Sequence, residues 1–233
     1  MIEIAPNQFN LKKLKKSEIE WLYFHQCKHR HSYISHPSCY WAERPDESPI
    51  EETIGFFDIE SSNLKASFGY VISYCIKPMG KLPLVRCITP KEIHSGTFDK
   101  RLLHQFYDDA RQFTRLVCYW GKDRRHDVPF LRTRALKAGV PFPKYGSLYL
   151  TDLYDWTKNK LSLHSYRLET ACREFGIPAK THPLDGHTWV KAMAGNQKAL
   201  DYIGKLHCKE DVVCLEPLYL KIEPYVRGRK ESI

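Results

Sequence analysis

The unbroken apolar run Ile54-Gly-Phe-Phe57, bounded by charged and polar residues, predicts a buried strand over Ile54–Ile59. Alternating polarity from about Lys65 to Ile76 predicts a second strand, and Leu82–Ile88 a third. Lys77-Pro-Met-Gly-Lys81 is the turn between them, so the three strands read as a meander. Phe98, Leu102, Leu103, Phe106, Ala110 and Phe113 then recur at helical spacing, predicting a helix over 98–113. Leu116–Trp120 is a buried strand closed by Gly121, followed by a helix over about Val128–Ala138 that stops before Gly139. Leu148–Asp152 is a fifth strand. Further helices are expected over about Tyr166–Phe175 and Gln197–Leu215, with Pro217 ending or kinking the last one. From Ile54 onward the class is α/β, without internal repeats or low-complexity segments.

Residues 1–50 follow a different pattern. Lys12, Lys13, Lys15 and Lys16 form a basic cluster, and Ser17-x-x-Glu20 is a weak capping signal for a short helix. Six potential zinc ligands follow within 15 positions: His25, Cys27, His29, His31, His36 and Cys39. His36-x-x-Cys39 has turn spacing, and Cys27 with His29 or His31 completes four ligands. The candidate set is Cys27, His31, His36 and Cys39, holding one structural Zn²⁺. A loop-rich segment of this size needs a staple, which favours metal. The spacing is not that of a standard finger, and such residues also contact nucleic acid without metal. Pro45–Glu52 is an acidic linker with two prolines. The expected organisation is therefore a basic His/Cys-rich appendage over 1–50 and one domain over 51–233.

Composition narrows the class. The chain has 233 residues, 42% of them hydrophobic, enough for one sizeable domain with an appendage. Thirty-six basic residues against 27 acidic ones leave a net charge of +9, which favours a polyanionic partner, nucleic acid ahead of membrane. Cys75, Cys118, Cys172 and Cys214 lie within apolar patterns and read as core thiols. With no secretory leader and no apolar run approaching ~18 residues, the expectation is a reduced, soluble, cytoplasmic or intracellular protein without a membrane partner. A nucleoid-associated or phage-encoded protein fits that expectation.

Acidic residues carry the candidate chemistry. Asp58 and Glu60 are two apart on a strand and so project from one face. Such a pair repels unless a cation lies between, and hard oxygen donors suit Mg²⁺ or Mn²⁺; the alternative is a solvated strand end. Asp127 opens a helix after a loop, where the alternative is an N-cap, favoured by Pro129 in the first turn. His207 and Asp211 are i, i+4 neighbours on one helical face, with Glu210 pointing elsewhere. Val212, Val213 and Leu215 indicate that this helix packs on something.

Three stretches in order carry a resemblance. Phe57-Asp-Ile-Glu-Ser-Ser62 resembles the first motif of the DEDD (DnaQ-like) 3′–5′ exonucleases of the ribonuclease H-like superfamily. Tyr119-Trp-Gly-Lys-Asp-Arg-Arg-His-Asp-Val-Pro-Phe-Leu131 resembles the second, and His207-Cys-Lys-Glu-Asp-Val212 the third. The match spans about residues 54–220. Asp152-Leu-Tyr-Asp-Trp156, Ser165-Tyr-Arg-Leu168 and Phe175-Gly-Ile-Pro-Ala-Lys180 look most like the exonuclease part of family-B DNA polymerases and related stand-alone nucleases. That branch has Tyr four residues before the last Asp, where this chain has His207; His is the habit of the sister branch, with one more intervening residue.

The resemblance implies a ribonuclease H-like fold with a mixed five-stranded sheet, its first three strands antiparallel and helices on its faces. It implies hydrolysis of single-stranded DNA or RNA from the 3′ end with two Mg²⁺ or Mn²⁺ ions about 3.5–4 Å apart. Asp58 would bridge both ions, Glu60 and Asp211 hold the one that generates the nucleophile, and Asp127 supports the second. His207 would take the proton from water, since an imidazole titrates near neutrality. Asn63, Trp120, Lys122, Arg124 and Arg125 are candidates for contacting the strand, with Ser61, Arg132 and Arg134 nearby. Turn formation, core packing or a solvated face are the alternatives for these residues. Asp152 reads as a structural hydrogen bonder. No polymerase domain is read, so a separate polymerase or repair partner is an expectation. The rival functions are a structure-specific endonuclease on the same fold, a non-catalytic nucleic-acid-binding module, and a nuclease delivered by residues 1–50 as the main binding device.

Overall fold

Burial of a central strand on both faces organises the protein. In this computed structural model residues 9, 11, 14, 16–43, 52–144, 147–178 and 180–226 are described. In chain order the elements are α1 (Lys16–Phe24), α2 (Pro37–Glu43), β1 (Ile54–Ser61), β2 (Val71–Pro78), β3 (Leu84–Cys87), α3 (Pro90–His94), α4 (Lys100–Ala110), β4 (Arg115–Cys118) and α5 (Asp127–Ala138). They continue as β5 (Tyr149–Asp152), α6 (Leu153–Lys160), α7 (Leu168–Glu174), α8 (Gly186–Met193), α9 (Gln197–Asp201), a π-helical turn (Tyr202–Cys208) and α10 (Lys209–Val226).

The strands form one mixed five-stranded sheet in the order β3-β2-β1-β4-β5. β1 pairs antiparallel with β2, and β2 with β3, as the meander predicts. On its other edge β1 is parallel to β4, and β4 to β5. Parallel pairing requires a crossover, and α3–α4 and α5 supply the two crossovers. Because β1 is central, helices cover both faces, and its sequence runs apolar instead of alternating. Phe57 and Ile59 enter one core, with Leu102, Leu103 and Phe106 of α4 and Leu131 of α5. Phe56 enters the opposite core, with Val212, Leu215, Leu218 and Tyr219 of α10. Strand alternation therefore puts Asp58 and Glu60 on the face of Phe56, which α10 covers.

Several boundaries differ from the expectation. The second strand starts at Val71 rather than about Lys65, because residues 62–69 turn: the Asn63 side chain accepts from the Lys65 N–H at 2.9 Å, and Gly69 N–H bonds to the Lys65 carbonyl. The helix expected from 98 starts at Lys100, since Phe98 is left-handed (φ 46°). Lys16 already belongs to α1, so Ser17 is not its N-cap. The expected helix over 197–215 is three pieces, α9, the π-helical turn and α10, and runs on to Val226. It passes both Pro217 and Pro224 without ending. Each proline strands the carbonyl four residues earlier. Those residues, Val213 and Leu220, are 41% and 55% exposed, on the side of the helix where water can satisfy the lost bonds. The π-helical turn lies close over the sheet at Gly204, where a Cβ would come within 2.2 Å of the Cys87 sulfur. α2, α3, α6 and α8 are too short for the periodicity to register.

The N-terminal unit packs α1 and α2 around a small cluster of its own, Leu22, Cys27, Tyr33 and Cys39. It reaches the sheet where the Tyr149 hydroxyl donates to the Ser38 carbonyl. Lys12, Lys13, Lys15 and the linker over 45–51 lie outside the described residues. Among the described residues, no helix is long and apolar enough to cross a membrane.

Candidate metal centre

β1 presents Asp58 and Glu60, and the π-helical turn and α10 close over them. The Cys208 thiol donates to the Asp58 carbonyl at 3.6 Å, tying this turn to the strand. His207 Nε2 lies 3.5 Å from Glu60 Oε1. Ligand atoms of Glu60, His207 and Asp211 lie within 4.8 Å of one another, as do those of Asp58, Glu60 and Cys208, so Glu60 belongs to both groups.

His207 has a defined orientation. Its Nδ1 is 2.6 Å from the His182 carbonyl, which can only accept, so Nδ1 carries the hydrogen. Nε2 then offers its lone pair to Lys180, whose ammonium donates to it at 3.1 Å and to Asp211 Oδ2 at 2.6 Å. Glu210 points away from this face, as expected, and accepts from the backbone N–H groups of Thr181 and His182 at 2.9 and 3.0 Å. Partial burial raises the Glu210 carboxyl, but the Thr181 hydroxyl, the His182 side chain and these backbone bonds outweigh it and bring it down to about 2. The loop carrying Lys180 is thus pinned to α10.

Asp127 arrives by a different route. The loop after β4 winds through left-handed Trp120 and Arg124 (φ 64° and 70°). Asp152, buried at the end of β5, accepts from the backbone N–H groups of Trp120, Lys122 and Tyr154 at 2.8, 3.0 and 3.0 Å. It also pairs with Arg125 at 2.5 Å, so its part is structural. His126 Nε2 meets Ser61 Oγ at 3.0 Å, fastening the loop to the end of β1. Asp127 is the first residue of α5, with His126 at the N-cap position, so the capping alternative does not hold. Asp127 is 4% exposed, and its Oδ2 has no hydrogen-bond partner. A Cβ at Gly121 would sit 2.3 Å from that oxygen, so only glycine leaves it room.

Burial, then the neighbouring acids, drive the carboxyls the same way. Asp58 is raised well above its ordinary value by desolvation and by Asp211, Glu60 by desolvation and by Asp58 and Asp211. Asp127 is raised by desolvation, then by Asp58 and Glu60. Asp211 is raised by desolvation, against the opposing charge of Lys180. Four crowded carboxylates, one of them buried with an orphaned oxygen, face a single cation among the described residues, Lys180, and leave negative charge that a hard divalent cation would neutralise. Asp58, Glu60, Asp127 and Asp211 could hold such ions.

A cavity of about 250 Å³ adjoins the acids, lined by Asp58, Asp211, Lys180, Tyr119, Leu168 and Glu169. The expected strand-contacting residues divide. Trp120 is 50% exposed, and Lys122 and Arg124 are exposed. Arg125 is committed to Asp152 and Asp155, Arg132 to Asp123 and Arg134 to Asp99. Asn63 is exposed but makes the turn at Lys65. Sequence reasoning missed Lys180, Leu168 and Glu169 as lining residues; Lys180 closes the Phe175–Lys180 stretch, but no local pattern marks it as facing an acid.

In the N-terminal unit the structure groups a different four from the expected Cys27, His31, His36 and Cys39. Cys27, His29, His36 and Cys39 converge, with one ligand atom each within 4.8 Å of the others, and His31 is not among them. The Cys27 N–H bonds to the His31 carbonyl at 2.9 Å around left-handed Arg30, so His29 occupies the turn and faces the thiols. His31 instead packs its ring edge-on against His36, and His25 stacks on Trp21.

Comparison with known proteins agrees with this architecture. No curated protein sequence matches the chain. Among solved structures it is similar to a family B DNA polymerase from the hyperthermophilic archaeon Pyrobaculum calidifontis, with a TM-score of 0.61 and 18% identity. The likeness covers 76% of this chain but only 25% of that one, so this chain spans a fraction of the polymerase's length. Residues 55–223, which contain all four acids and all of the sheet but the first residue of β1, match the model of the RNase H superfamily, and the chain belongs to that superfamily.

Proposed function

We propose that residues 51–233 form a metal-dependent 3′–5′ exonuclease acting on single-stranded DNA or RNA, with residues 1–50 as an appendage. The observation that carries this reading is the grouping of Asp58, Glu60 and Asp211 from β1 and α10 at one half-buried site, with buried Asp127 of α5 close enough to feel their charge and Lys180 the cation paired there. Two divalent ions held by Asp58, Glu60, Asp127 and Asp211 would supply Lewis-acid charge at the phosphate and acidify a water. His207 would take up the proton of that water at Nε2 once the Lys180 ammonium gives up the lone pair it now holds, since the His182 carbonyl fixes the other nitrogen as a donor. Lys180 orients Asp211 and His207 through its two hydrogen bonds. The cavity beside Asp58 and Asp211 is too small for a duplex and admits the unstacked end of a strand. Lys122 and Arg124 would supply exposed positive charge for the backbone, and the exposed face of Trp120 offers a base a surface to stack on.

The test uses 5′-labelled single-stranded DNA and the matching RNA, with Mg²⁺ or Mn²⁺, beside a circular single-stranded DNA. The expected result is a ladder shortening from the 3′ end, absent in chelator and in Asp58→Ala, and an intact circle. His207→Ala should lose roughly 10²–10⁴-fold in rate while still binding the strand. Cleavage of the circle would replace the reading with an endonuclease. Binding without cleavage by a folded, metal-supplied protein would replace it with a binding module.

A further inference from the structure

Among the described residues, one cluster of metal-ligating side chains lies outside the acidic site: Cys27, His29, His36 and Cys39. Three of its edges are Cys27 Sγ to His36 Nδ1 at 3.6 Å, Cys27 Sγ to His29 Nδ1 at 4.0 Å and Cys39 Sγ to His29 Nδ1 at 3.2 Å. A tetrahedral Zn²⁺, with bonds of about 2.3 Å to sulfur and about 2.05 Å to nitrogen, sets each sulfur–nitrogen edge at about 3.6 Å. The observed edges centre on that length.

The backbone presents the four ligands in two pairs. Cys27 and His29 sit on a turn closed by the Gln26–Ser32 bridge, with Arg30 left-handed. His36 and Cys39 flank the entry to α2, where Pro37 is the first helical residue and the Cys39 N–H bonds to the His36 carbonyl at 3.0 Å. Both thiols are buried, and they are two of the four buried apolar residues described in this unit. A core that small does not hold a fold by itself.

We infer that Cys27, His29, His36 and Cys39 bind one structural Zn²⁺ that holds the N-terminal unit together and shapes its junction with the sheet. His29, His36 and Cys39 also line a cavity of about 630 Å³ between the two units, opposite Phe57, Phe106 and Phe142. Ser38, which accepts from Tyr149 of β5, lies between the last two ligands. The ion therefore fixes the segment that contacts the sheet. This inference does not rest on the nuclease reading.

The experiment takes the full chain, purified under reducing conditions without chelator, and measures bound metal directly. About one zinc per chain is expected, retained when Mg²⁺ is exchanged and in an Asp211→Ala variant. Replacement by Co²⁺ should give the visible bands of a tetrahedral site with thiolate-to-cobalt charge transfer. His29→Ala should weaken zinc binding by at least roughly 10-fold, and His31→Ala should leave it unchanged. Protease cleavage within 16–43 should follow zinc removal. A folded wild-type protein without zinc, or with Cys27 and Cys39 joined as a disulfide, would overturn the inference. Loss of zinc in His31→Ala with retention in His29→Ala would overturn the ligand set. If Cys27→Ser does not fold, the cobalt spectrum of the wild type and the two histidine variants still decide.

Discussion

In the proposed nuclease, Asp58 would set function against stability. It is half-buried and feels the charge of Asp211, with Glu60 two residues along the same strand face. The folded pKa values of Asp58, Glu60 and Asp127 lie well above the ordinary values of 3.8, 4.5 and 3.8. Without divalent cations, the folded state therefore binds more protons than the unfolded state at any pH between those ordinary values and the raised ones. Stability then falls as pH rises from about 4 through the raised range, and is highest at the acid end of it. We expect Asp58→Asn to raise stability in chelator at pH 7 by about 1 kcal/mol or more, roughly 2–4 °C in Tm, while removing activity. Mg²⁺ should stabilise the wild type more than the variant. Thermal melts of both proteins from pH 4 to pH 8, with and without Mg²⁺, check this; a flat metal-free profile for the wild type would show that the acids do not repel. The residue types and the i, i+2 spacing of Asp58 and Glu60 were legible in the sequence. The orphaned oxygen of Asp127 was not, because it depends on the close approach of Gly121 from a separate loop.

At the scale of elements, the junction between β5 and α6 holds the second-motif loop. Asp152 caps α6 through the Tyr154 N–H, accepts two N–H groups from the loop and neutralises Arg125. Removing one partner of a buried pair leaves the other uncompensated. Asp152→Ala is expected to cost about 3 kcal/mol in denaturant unfolding and to release the loop that places Asp127. A loss below about 1 kcal/mol would mean the loop is held elsewhere. Asp152 was identified from its place at a strand end, but its loop partners lie 30 and 32 residues earlier in the chain. The last helix illustrates the opposite limit. Proline reads as a stop, yet α10 continues because both prolines fall on the solvent side, a fact of packing rather than of propensity.

For the molecule as a whole, the net charge of +9 provides an attractive field for a polyanion but does not say where the proposed strand would lie. Ion pairs internal to the fold already occupy Arg125, Arg132 and Arg134. Lys122 and Arg124 should therefore carry the salt dependence: each alanine substitution should reduce the slope of log affinity for single strands against log salt by about 0.7. Arg125→Ala should instead lose stability through Asp152. Fluorescence anisotropy of a labelled strand in a catalytically silent Asp58→Ala background, titrated over salt, measures these slopes. Unchanged slopes for both Lys122→Ala and Arg124→Ala would place the strand on another face.

The sequence by itself determined the α/β class, the three-stranded meander, the central apolar strand and the side of it on which Asp58 and Glu60 project. These are local properties: period, turn chemistry and strand alternation act over a few residues. Its motifs also pointed to the superfamily. Only the tertiary structure decided which side chains meet. It brought His207 and Asp211 to Glu60 of β1, set Asp127 within reach of their charge, introduced Lys180 among them, withdrew Arg125 into an internal ion pair and chose His29 over His31 beside the thiols. Each of those outcomes depends on chain segments distant in sequence or on the direction of a tight turn. Periodicity carries no information about either, because packing and backbone hydrogen bonds between segments fix them.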